Sequence, residues 1–177
     1  MRLLHLTLPI ALLALLSACV PTRAAAPTPT DAATEAPLFA TDEEALAAAE
    51  EVYREYSLQL RSVSSGADTG LDGIRALTTA DWFEIQQRVY EEARLSGRHT
   101  EGETPLVAFR LQQIDPPNLT AYACHDYGEL KVIDASGIDI TPPRDRYAVF
   151  EVTLSQTPDS FVISKNELWR TGSSCSS

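Results

Sequence analysis

At Gly97 the hydrophobic pattern of this chain changes period, and that change constrains the fold more than any other feature. Before Gly97, apolar residues recur every three or four positions, the spacing of one helix face. After it they alternate, the spacing of a half-buried strand. Helices first, then consecutive strands with short turns, predict an α+β fold: N-terminal helices packed on an antiparallel sheet of four to five strands.

The first helix is marked at both ends. Thr41 with Glu44 three residues on reads as a capping box, and Asp42, Glu43 and Glu44 suit the positive end of the helix dipole. Leu46, Ala49, Tyr53, Tyr56, Leu60 and Val63 form one apolar stripe over residues 42–63, and Ser64-Ser65-Gly66 ends it. A short helix is expected around Leu71–Leu77. Thr78 and Thr79 are N-cap candidates for a helix from Ala80 to Leu95, with Trp82, Ile85, Val89 and Ala93 as its inner stripe and Gly97 as its C-cap.

In the second half, Val107, Phe109 and Leu111 alternate with Ala108, Arg110 and Gln112. Pro116-Pro117-Asn118 turns the chain. Leu119, Ala121, Ala123, His125 and Tyr127 then share one face of a strand, with Tyr122, Cys124 and Asp126 on the other. A shorter strand covers Leu130 to Asp134. Ala148, Phe150, Val152 and Leu154 line one face of the next, and the last runs from Phe161 to Trp169.

The N-terminus reads as an address. Arg2 precedes an apolar stretch from Leu6 to Leu16 and the small residues Ser17 and Ala18, a secretory pattern too short for a spanning helix. Leu16-Ser17-Ala18-Cys19 resembles a bacterial lipobox. That resemblance implies cleavage after residue 18, a diacylglycerol on the Cys19 thiol with acyl chains such as palmitate, and a membrane anchor facing the extracytoplasmic side. Residues 19–40 hold Pro21, Pro27, Pro29 and Pro37 among Thr and Ala and no Gly, a composition that favours an extended tether. The single domain then spans 41–177.

Composition narrows the partners. The 177 residues have room for one domain and an appendage, and 44% hydrophobic with 22% charged residues excludes a wholly disordered chain. A net charge of -11 argues against nucleic acid as a main partner, since phosphate binding needs a basic face. Removing residues 1–18 takes away Arg2 and no acid, so the mature chain is more acidic still and is repelled by anionic lipid heads. Of three cysteines, Cys19 is assigned to lipid. Cys124 and Cys175 then remain outside the cytoplasm, where one disulfide is the simplest outcome; a free thiol or an intermolecular bridge is the alternative.

A long helix, a shorter one, a third helix and then a curved antiparallel sheet resemble the cone-shaped fold of the nuclear-transport-factor-two-like superfamily. The tract Ala121-Tyr122-Ala123-Cys124-His125-Asp126, with Cys175 beyond Trp169, is similar to secreted or lipid-anchored bacterial proteins of that fold. The resemblance implies either a non-catalytic binding module or a metal-free isomerase, cyclase or dehydratase with a carboxylate base and a Tyr or acid donor inside the cone.

The residues themselves favour no chemistry strongly. Only His99 and His125 survive processing and no C-x-x-C or H-E-x-x-H spacing occurs, so no metal or other cofactor is expected. Asp134, Asp139 and Asp145 lack the alternation of a calcium loop. His125 is the one catalytic candidate, with Tyr127 and Trp169 beside it as candidate pocket walls. Asp126 and Glu151 fall on the outward parity, which leaves no carboxylate on the inner face unless a register bulge reverses that parity. The function expected is therefore a lipid-anchored binding or interaction module of the cell envelope, its partner an envelope protein, a wall polymer or a small apolar ligand. A small-molecule enzyme using the cone is the alternative.

Overall fold

A computed structural model describes residues 38–67 and 70–175, which lie within one compact unit, Ala36–Ser177. The lipobox, Cys19 and most of the tether lie outside the described residues.

Among the described residues three helices lead: α1 (Asp42–Ser64), α2 (Leu71–Ala76) and α3 (Ala80–Leu95). The Thr41 side chain accepts the Glu44 N–H at 3.2 Å, and the Glu44 carboxylate accepts the Ala40 N–H at 3.0 Å. The cap therefore works in both directions. Thr79 caps α3 through the Trp82 N–H, and Gly97, at φ +67°, follows its last turn in the left-handed conformation.

Six strands follow: β1 (His99–Glu101), β2 (Leu106–Asp115), β3 (Asn118–Asp126), β4 (Lys131–Ile133), β5 (Tyr147–Gln156) and β6 (Phe161–Gly172). Four form an antiparallel sheet in the order β2-β3-β5-β6, with helices on one face. The segment expected as a further strand of that sheet, β4, instead pairs with β1 as a separate two-stranded ribbon. Glycine makes this approach feasible: a Cβ on Gly102 would collide with the Glu129 carbonyl oxygen.

The core lies between α1 and the sheet. Ala45, Ala49, Tyr53 and Tyr56 of α1 pack over Leu119, Ala121 and Ala123 of β3 and Val152 and Leu154 of β5. Alanines on both surfaces let the helix approach the sheet closely. Phe39 stacks on Phe161 at 5.2 Å between ring centres and ties the start of the domain to β6.

Three sequence expectations are corrected. The inner face of α3 carries Trp82, Phe83, Gln86 and Tyr90, whereas Ile85 and Val89 are 41% and 55% exposed. The helix turns its hydrogen-bonding side chains inward because Tyr56 lies beneath it: Tyr56 and Tyr90 both donate to Gln86 Oε1, at 3.4 and 3.2 Å. Val107 is unpaired at a register shift between Leu106 and Ala108 and is half exposed. On β6 a shift between Thr153 and Leu154 leaves Ser164 unpaired and turns the positions beyond it to the other face, and Trp169 is itself unpaired in a second shift, where Val149 faces Arg170 and Phe150 faces Leu168. One extra residue in a strand re-aims a side chain, so simple alternation misplaces both.

Candidate functional site: a cavity under the sheet

The C-terminal half of α1, the inner face of α3, the segment before β2 and the inner face of the sheet enclose a cavity of about 310 Å³. His125 and Tyr127 line it, as the alternation on β3 predicts, together with Tyr53, Ser57, Gln86, Tyr90, Thr104 and Phe150. Trp169 does not. It lies on the opposite face of the sheet against Tyr122, 4.7 Å between ring centres, and is 49% exposed. A larger groove of about 900 Å³ runs outside, between the ends of α1 and α3 and the ribbon. The smaller cavity is the better candidate because it encloses the buried His125.

His125 is held at both ring nitrogens. Nδ1 is 2.9 Å from the Thr104 carbonyl oxygen, and Nε2 is 3.0 Å from the Tyr53 hydroxyl. A carbonyl only accepts, so Nδ1 carries the proton, and the Nε2 lone pair accepts the hydroxyl proton of Tyr53. Burial lowers the His125 pKa; the Thr104 carbonyl opposes that shift and the charge of Arg54 adds to it. Burial also holds the Tyr53 hydroxyl well above its ordinary value, so it stays protonated and able to donate. The ring is therefore neutral, and its only basic lone pair is occupied.

The acids the sequence placed outward are outward. Asp126 forms a two-pronged pair with Arg146, with bonds of 2.7 and 3.1 Å, and that hydrogen bonding lowers its pKa. On the outer face Lys165 bridges Glu167 at 3.0 Å and Glu151 at 3.7 Å. No carboxylate lines the cavity among the described residues. Neighbouring residues of β3 divide the work: His125 points inward, and Cys124 is disulfide-bonded to Cys175, with their Cα atoms 5.8 Å apart. Sequence reasoning missed the polar contributions of Gln86 and Tyr90. Their positions four and eight residues after Trp82 were the available signal.

The clasp gives a pH dependence. An unfolded His titrates near ~6.5, while the folded ring resists protonation. Its contribution to stability is thus complete above about pH 6.5 and is lost as the pH falls through the lowered folded value. Thermal melts should hold steady from about pH 8 to about pH 7 and decline below about pH 6.5. A His125→Gln variant should lose most of that slope; a slope unchanged in the variant assigns it elsewhere.

No protein-family model matches the sequence, and no curated protein matches it. By architecture the chain is an α+β domain with helices on one face of a curved antiparallel sheet. Among solved structures it is similar to the intermembrane space region of the chloroplast protein ARC6, with a TM-score of 0.51 and 11% identity over 70% of this chain and 95% of that one. At that identity the likeness concerns the fold alone. Aln2 from a Streptomyces species (TM-score 0.45, 14% identity, 69% of this chain and 89% of that one) is a weaker likeness. So is a de novo designed β-sheet protein (TM-score 0.38, 11% identity, 76% and 95%).

Proposed function

We propose that this chain is a lipid-anchored, extracytoplasmic binding module of the cell envelope, attached through Cys19, whose domain holds a small molecule in the cavity under the sheet. Membership of the nuclear-transport-factor-two-like superfamily is part of the same proposal. No helix among the described residues is long and apolar enough to cross a membrane; attachment in this reading is through the lipid on Cys19. The observation that carries the non-catalytic reading is the state of the cavity. Its one imidazole is engaged at both nitrogens, and no carboxylate accompanies it. General acid–base catalysis needs a group free to take a proton from the substrate.

The anchor is tested by fractionating cells that express the chain. The expected product is in the membrane fraction, begins at Cys19 and carries acyl mass, and a Cys19→Ser variant moves to the soluble extracytoplasmic fraction. Unmodified wild-type protein in the soluble fraction sinks the proposal.

A further inference from the structure

We infer that the cavity selects an uncharged, hydroxyl-bearing ring and rejects carboxylates and amines of the same size; this rests on the small-molecule reading above.

Size comes first. A cavity of about 310 Å³ lies at the small end of ligand sites, room for one ring with its substituents. Charge comes second. An ammonium group entering it would shed water and meet no carboxylate. Arg61 is the sole charged residue among those lining it, and its Nη1 is already 3.0 Å from Glu103 Oε1. A ligand carboxylate would have to share Arg61 with Glu103 and approach a chain of net charge -11.

Hydrogen-bond direction comes third and is the most selective. Three hydroxyls on lining residues give their protons to the protein: Tyr53 to His125 Nε2, Ser57 to the Tyr53 carbonyl, and Tyr90 to Gln86 Oε1. A hydroxyl that has donated keeps only lone pairs. At these three positions the cavity offers acceptors, which suits a ligand O–H and gives an acceptor-only carboxylate nothing there. Tyr90, Tyr127 and Phe150 supply aromatic surface for the body of the ring.

The test uses the full ¹⁵N-labelled chain in lipid nanodiscs, with free probe concentrations measured and backbone amide shifts followed. Benzyl alcohol, anisole, benzoate and benzylamine keep the ring and vary the polar group. Methyl glucoside separates a saccharide from an aromatic source of the same chemistry. Benzyl alcohol or the glucoside is expected to shift Thr100, Thr104 and Tyr127, with anisole, benzoate and benzylamine about tenfold weaker or more. A Tyr90→Phe variant should weaken the hydroxylated probe about threefold and leave anisole unchanged. Benzoate or benzylamine binding in the cavity as tightly as the hydroxylated probes overturns the ligand class and leaves cavity binding standing. No shift at any cavity residue with any probe overturns both.

Discussion

Replacing Cys124 and Cys175 together by alanine is expected to lower the unfolding free energy by about 4 kcal/mol. The bond closes a loop across a sequence separation of 51, and a loop of that length loses roughly that much chain entropy when unfolded. Its placement adds to the effect. In the sheet order β2-β3-β5-β6 it joins β3 to the chain beyond β6, so it spans β5. Val149 of β5, paired with Cys124 on one side and Arg170 on the other, is buried on that outer face. Cys124 is itself buried, which is why alanine is the replacement; serine would add an unpaired hydroxyl. The α1 core lies on the other face of the sheet, so the variant should keep its secondary structure and lose stability rather than fold. Urea denaturation of the variant, and of wild type with and without reductant, measures this. Reduced wild type should match the variant, and a loss under about 1 kcal/mol would show that the staple does little.

The second large effect is expected from the clasp. His125→Leu should cost about 3 kcal/mol, because it strands a buried and a half-buried group at once: the Tyr53 hydroxyl loses its acceptor and the Thr104 carbonyl its donor. Removing one partner of a buried hydrogen bond costs the desolvation of the other, whereas removing both costs less. A Tyr53→Phe/His125→Leu double variant should therefore be less destabilised than the sum of the two single variants, by about 1 kcal/mol or more. Additive losses would mean that the two side chains do not support each other. The same cycle bears on function. A histidine whose removal chiefly unfolds the protein, and whose pairing with Tyr53 carries the loss, is a brace between α1, β3 and the segment before β2, not a base waiting for substrate.

Much of this was legible in the residues. The capping box at Thr41, the stripe through Ala49, Tyr53 and Tyr56, and the inward parity of His125 on β3 follow from local rules, since a helix face and a strand face repeat at fixed periods. What failed did so where a local rule has two answers. On α3, the sets 82/85/89/93 and 82/86/90 are both helical stripes. The second faces inward because the Tyr56 and Tyr90 hydroxyls both donate to Gln86 there. At Val107 and Trp169 the register slips by one residue, and no composition signal marked either place.

The sequence alone determined the class of fold, the order of the three helices and of the four strands of the main sheet, the face on which His125 and Tyr127 lie and the opposite face on which Cys124 lies, but not the short strand β1. All of these are consequences of periodicity along one stretch of chain. Only the tertiary structure decided that β4 leaves the sheet to pair with β1, that Trp169 stands outside the cavity, and that both His125 nitrogens are occupied. Those outcomes depend on contacts between residues far apart in the chain, such as the 72 positions that separate Tyr53 from His125, and no local repeat encodes them.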